Sequence, residues 1–189
     1  DEYIVFTARR NFEEDILVHH IKNNKTINLT NSGVTENSPV WSPDGKYIYF
    51  VSQRLKPSYP FGMANAKVYR IALEKMDEPY RLDKYNELFK EERKDAKTAN
   101  ADSGKVITID TDLIMERLEQ ISPSFGTQYL INVFQKGEKT TVLYISNHAE
   151  GRYAVWKTVL EPFESPNTEK IAGTDNTGGL DIIEVNEKY

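Results

Sequence analysis

NSPVWSPDGKYIYFVSQR, residues 37–54, is the stretch that decides the fold. Two strand-like runs, 38–41 and 46–52, flank the tetrapeptide Ser42-Pro43-Asp44-Gly45. Ser42 can accept a local backbone hydrogen bond, Pro43 presets φ near the type I value, Asp44 tolerates the third position and Gly45 can take positive φ. The chain is therefore predicted to reverse here. The second run places Tyr47, Tyr49 and Val51 on one face and Ile48, Phe50 and Ser52 on the other. Both faces read as buried, the pattern of a sheet lying between two neighbouring sheets.

Working outward, residues 3–10, YIVFTARR, can be laid on residues 47–54, YIYFVSQR, with Tyr, Ile, Phe and the final Arg matching. Such an offset is about the length of one four-stranded propeller blade. The run SPVWSPDGKYIYFVS, preceded by INLTNSGVTEN, resembles the repeat unit of TolB-like β-propellers and of the propellers in tricorn-type serine peptidases. The same W-S-P-D-G-K hairpin also occurs in propellers of prolyl-oligopeptidase-like enzymes. The resemblance thus implies an architecture more firmly than an activity.

After the first copy, residues 15–22 and 25–30, with Asn23-Asn24 as the turn, read as the third and outermost strands of a blade whose innermost strand would lie before residue 1. The second blade starts at Ser38, passes through the central hairpin and continues, after a loop at 55–66, into a third strand at 67–73. Residues 78–82 read as a short strand or extended connector. From Lys84 to about Lys97 the chain is strongly charged, with Tyr85, Leu88 and Phe89 at i, i+3 and i+4, which makes one narrow apolar stripe on a short helix. This insert, 84–104, reads as a partner-docking or lid element or as a solvated decoration between strands.

Residues 105–110 resume the strand pattern, while 111–121 have a mixed period that leaves strand and helix open. Tricorn-type propellers carry a comparable acidic stretch, ending in an Arg and then a Pro-containing strand. Asp110, Asp112, Arg117 and Pro123 resemble it, and the resemblance implies strand plus turn. Further strands are predicted at 127–135, 140–146, 153–160 and 169–172, with Lys136-Gly137-Glu138-Lys139 as a hairpin turn. Residues 179–189 read as the opening of another blade.

The 189 residues suffice for one ordinary domain with a real core. Eleven Tyr and eight Phe suit a β-rich globular chain rather than a disordered one. A net charge of -5 without a concentrated basic face argues against nucleic acid as a partner. The absence of cysteine excludes disulfides, thiolate metal sites and a cysteine nucleophile. No apolar run reaches the roughly 18 residues that span a bilayer. The chain starts at Asp1 and runs at once into a strand, as a processed or excised piece would, so an export signal would already be missing.

Residues with chemical potential do not assemble into a set. His19 and His20 are adjacent and would point to opposite faces of a strand, which prevents joint ligation of one metal. His148 lies in the polar loop 147–152, without a recognisable nucleophile motif. Asp110-Thr111-Asp112 lacks the further oxygen ligands and Gly-assisted turn of a calcium loop. Asp44 belongs to its turn. The run 174–179, TDNTGG, lacks the Lys and the strand-to-helix setting of a phosphate loop, and Ser124-Phe125-Gly126 is not a G-x-S-x-G elbow.

These readings converge on an all-β chain of three to four β-propeller blades, expected to be part of a larger propeller. The segment would span 1–189, be incomplete at both ends and carry one short helical insert. No catalytic, cofactor-binding or metal-binding residue is assigned, and no cofactor is expected. The resemblance implies the noncatalytic propeller of a tricorn-like serine peptidase that guides or gates peptide substrates. Its partners would be peptide or protein substrates and downstream peptidase domains of the same parent chain. A TolB-like propeller serving as a protein-interaction scaffold is the alternative. By the same resemblance the compartment is the periplasm, with the cytoplasm as the alternative.

Overall fold

The computed structural model describes residues 2–10, 12–57, 62–75 and 107–177. It contains three antiparallel sheets and, among the described residues, a single 3-10 turn at Ile114–Arg117. The first sheet holds β1 (Tyr3–Arg10), β2 (Glu13–His20) and β3 (Lys25–Asn28) in that order. The second holds β4 (Glu36–Trp41), β5 (Tyr47–Ser52), β6 (Lys67–Ala72) and β7 (Leu118–Gln120). The third holds β8 (Gln128–Lys136), β9 (Lys139–Ser146), β10 (Ala154–Leu160) and β11 (Asn167–Lys170). Each sheet is an up-and-down meander with strands in sequence order, which is the construction of a propeller blade. The expected all-β blade fold is thus present, with three of the expected three to four blades among the described residues and with β1, β2 and β3 matching the second, third and fourth strands of the other two sheets.

The reversal at residues 42–45 forms as its chemistry requires. The Gly45 N–H donates to Ser42 O at 2.9 Å, and Gly45 sits at φ 76°. Asp44 Oδ1 accepts from Ser42 Oγ at 2.6 Å and from the Lys46 N–H at 3.0 Å, while Ser42 Oγ accepts from the Tyr47 N–H at 2.9 Å. Burial pushes the Asp44 carboxyl upward, but the bonds from Ser42, Lys46 and Gln135 and the Lys46 charge together outweigh it and hold the pKa below the usual value. The carboxylate organises the turn, as its position predicts.

Strand β5 is buried on both faces because it lies in the middle of the arc. Ile48 and Phe50 join Ile16, Val18, Leu29, Tyr69 and Ile71 in a core between the first and second blades. Tyr49 and Val51 join Val68, Val133, Val142 and Tyr144 in a core between the second and third. Blade-to-blade packing therefore supplies the apolar burial that a lone meander could not.

Several boundaries differ from the sequence reading. Strand β2 begins two residues before the predicted 15–22 because its pairing with β1 extends to Arg10 opposite Glu13. Residues 107–110 are not a ladder strand, although 105–110 reads as one. The place beside β6 is taken by β7, with Ile71 opposite Leu118 and Tyr69 opposite Gln120. Residues 107–110 instead place Ile107 and Ile109 against the first core, and the Asp110 N–H donates to Leu73 O at 2.8 Å. The stretch after Asp110 is turn plus strand, as the resemblance implies. The predicted connector at 78–82, the insert at 84–104 and the blade opening at 179–189 lie outside the described residues.

Candidate functional site

The second and third blades carry the same side-chain joint at the end where their inner strands begin. Glu36, the first residue of β4, is opposite Ser52, the last residue of β5. Gln128, the first residue of β8, is opposite Ser146, the last residue of β9. All four are fully buried. Two residues past each serine the chain turns back on the serine hydroxyl: the Arg54 N–H donates to Ser52 Oγ at 3.3 Å, and the His148 N–H donates to Ser146 Oγ at 3.2 Å. Ser52-Gln53-Arg54 and Ser146-Asn147-His148 are one local motif.

The link to the preceding blade repeats as well. The Leu29 N–H donates to Ile16 O and the Ile121 N–H to Val68 O, each at 2.9 Å. The following hydroxyls, Thr30 Oγ1 and Ser122 Oγ, accept from the Ile16 and Val68 N–H groups at 3.1 and 2.9 Å. Thr30 precedes Glu36 by the same spacing at which Ser122 precedes Gln128. The two joints nevertheless differ in electrostatics.

In the second blade Glu36 Oε1 accepts from Ser52 Oγ at 3.3 Å and from Arg54 Nη2. Burial raises the Glu36 pKa, and the hydroxyls of Thr30 and Ser32 and the Arg54 guanidinium only partly offset it. Both hydroxyls face the carboxyl as hydrogen-bond donors, yet neither reaches its second oxygen, Oε2, in good hydrogen-bond geometry. The Arg54 guanidinium carbon lies 5.6 Å from the Tyr69 ring centroid, and burial raises the Tyr69 pKa. Next to it Lys67, opposite Ser52 on β6, is almost fully buried and donates through Nζ to Asn65 O and Gly126 O. Burial lowers its pKa. This ammonium clips the loop before β8 to the start of β6.

In the third blade the joint is a neutral amide. Gln128 Oε1 accepts from the Val68 N–H at 3.2 Å and from Ser122 Oγ. Its Nε2 donates to Pro123 O and Phe125 O at 2.7 and 3.2 Å. Gly126 has φ 72°, and a Cβ there would come within 2.6 Å of Asn147 Oδ1 and of the His148 backbone nitrogen. His148 Nδ1 lies 2.8 Å from Ser146 Oγ, and its ring centroid lies 4.1 Å from that of Trp156. Burial lowers the His148 pKa, which keeps the ring neutral against the indole at physiological pH.

Ser146 and His148 are a serine and an imidazole in hydrogen-bond contact, the geometry from which a nucleophile is activated. Their chemistry here is different. Ser146 is fully buried, and its hydroxyl also accepts the His148 N–H, so the pair closes a strand exit. The other histidines are held apart, as their adjacency predicts. His19 Nδ1 is 2.9 Å from Thr26 Oγ1 on β3, whereas His20 meets Glu2 at 3.3 Å and stacks edge-on with Tyr3.

The other residues singled out in the sequence have structural partners. Lys75 Nζ reaches Asp110 and Asp112 at 3.6 and 2.6 Å. Arg117 donates to the backbone oxygens of Ala72, Asp110 and Asp112, which fastens the acidic stretch to the end of β6. Asp110 Oδ1 accepts the Asp112 N–H, and that bond, with the Lys75 and Arg117 charges, holds its pKa down. Thr174 Oγ1 accepts the Val155 N–H at 3.0 Å and donates to Ile171 O at 2.7 Å, so the described start of the TDNTGG run finishes the third blade. Ser124 Oγ accepts from Gln120 Nε2 at 3.1 Å. No cluster of three metal-ligating side chains occurs among the described residues.

No family model and no curated protein matches the chain. Among solved structures, the tricorn protease aligns over 92% of this chain and 17% of its own, with a TM-score of 0.51 and 11% identity. The alignment with a candidate TolB from Agrobacterium tumefaciens covers 93% of this chain and 48% of that one, with a TM-score of 0.49 and 14% identity. These sheets are propeller blades. At 11% identity the likeness to the tricorn protease is one of fold, and it agrees with the propeller repeat in residues 38–52. The chain spans less than half of either structure. No helix among the described residues is long and apolar enough to cross a membrane.

The sequence reading missed Glu36, Lys67, Gln128 and Ser146. A signal was available: a serine two residues before a basic or imidazole side chain at the exit of an aromatic-rich strand, in FVSQR and again in YISNH.

Proposed function

We propose that this chain is the noncatalytic propeller part of a tricorn-like serine peptidase, where it guides or gates extended peptides toward a catalytic domain carried elsewhere in the parent protein. The observation that carries the reading is the likeness to the tricorn protease over 92% of the chain. All three histidines are engaged in local contacts, and the proposal gives none of them a catalytic part. Hydrolysis by serine needs an accessible hydroxyl, a base and donors aimed at the developing oxyanion, and the fully buried Ser146 is not accessible.

The proposal is tested by incubating the purified chain with unstructured peptides and a serine-directed phosphonate. Weak, sequence-tolerant binding without cleavage is expected, and covalent labelling of any serine overturns the noncatalytic assignment. Reading the parent gene for a peptidase domain tests the partnership. Recovery of one stable cell-envelope protein, with no hydrolase domain encoded in the same gene, would favour the scaffold role instead. Periplasmic rather than cytoplasmic residence belongs to the same proposal, and fractionation of cells expressing the full gene product decides it.

A further inference from the structure

We infer that the joint between the first and second blades holds one internal water molecule, bound by Glu36 Oε2, Arg54 Nε and Tyr69 Oη. Four buried side-chain polar atoms among the described residues meet no partner in hydrogen-bond geometry, and three of them are these. They belong to a single cluster. Arg54 donates to the other oxygen of Glu36 and lies over the Tyr69 ring, and the Glu36 charge acts on the Tyr69 hydroxyl.

The complement of these atoms selects the ligand. Arg54 Nε–H and Tyr69 O–H are donors, and Glu36 Oε2 is an acceptor. A molecule that accepts two hydrogen bonds and donates one satisfies all three. Water does this, and about three hydrogen bonds is the ordinary complement of a buried water. A cation would be set against the Arg54 guanidinium, and an anion against the Glu36 carboxylate. With Glu36 fully buried and Arg54 half-buried beside it, a small neutral ligand is the one that suits both charges.

At the corresponding joint before the third blade the central side chain needs no such ligand, and the one orphan atom nearby among the described residues is Trp156 Nε1, under the His148 ring. Gln128 supplies its own donors and acceptors to Val68, Ser122, Pro123 and Phe125. A carboxylate at position 36 has no N–H to offer, and the water supplies the donor that the amide provides in the other blade.

A crystal structure of the chain at about 1.5 Å tests the site. Expected is one isolated peak within the usual hydrogen-bond range, about 2.6–3.2 Å, of all three atoms. Continuous protein packing with Tyr69 Oη bonded directly to Glu36 Oε2 would overturn the inference. So would a heavier peak with oxygen contacts near 2.0–2.4 Å, which marks a metal ion. Independently, water-oxygen relaxation dispersion should count one fewer long-lived water in Tyr69→Phe and in Glu36→Gln than in the parent chain. Equal counts in all three proteins contradict it.

Discussion

Glu36 and Gln128 occupy one position in two consecutive blades, each beginning an inner strand opposite the serine that ends the next strand. The backbone around them is the same to the level of individual hydrogen bonds: the hydroxyl six residues earlier caps a β2 or β6 amide, and the serine caps the chain two residues later. One joint is nevertheless completed by an ion pair between the buried Glu36 and the half-buried Arg54, and the other by a neutral amide, with His148 on the Trp156 ring nearby. Repetition in this fold therefore conserves backbone satisfaction, which every buried joint must meet. The side chains that achieve it can differ in charge. The second blade accepts the desolvation of a carboxylate, and the raised Glu36 pKa records that cost.

The largest effect that sharpens this contrast is Arg54→Ala. Removing the half-buried Arg54 leaves the charge of the fully buried Glu36 uncompensated, so a loss of about 3–5 kcal/mol is expected at neutral pH by urea unfolding. Gly126→Ala should follow, at about 2–4 kcal/mol, from a left-handed backbone combined with overpacking against Asn147 and His148. His148→Ala, the counterpart of Arg54→Ala in the third blade, loses one neutral hydrogen bond and one ring contact and should cost only about 1–2 kcal/mol. Equal losses at Arg54 and His148 would show that the charge difference between the blades has no energetic weight.

Much of the fold was legible because it rests on local chemistry. The turn at Ser42-Pro43-Asp44-Gly45 and the two-sided apolar pattern of residues 47–52 need only residue types at adjacent positions, and both appear as read. The shift of β2 and the pairing of Leu118–Gln120 beside β6 were not legible, because pairing register is decided across the sheet. The joint was harder still. Glu36, Ser52, Arg54 and Tyr69 are scattered along the sequence, and only blade packing brings them together. Asp110, Asp112 and Arg117 were read from the resemblance as a turn-and-strand signature, and the reason for the arginine, its donation to three backbone oxygens, emerged only from the structure.

The claim that a single blade joint is charged in one copy and neutral in the next is tested most directly by the pH dependence of unfolding for the parent chain and Glu36→Gln. A carboxyl whose folded pKa lies above its unfolded value, about 4.3 for glutamate, binds more protons in the native state. Its contribution to stability is then fully present below the unfolded pKa and is lost as pH rises through the folded one. The parent chain should therefore lose stability relative to Glu36→Gln as pH rises from about 4 toward neutrality. Parallel curves, or a parent chain that gains stability over that range, would contradict the account.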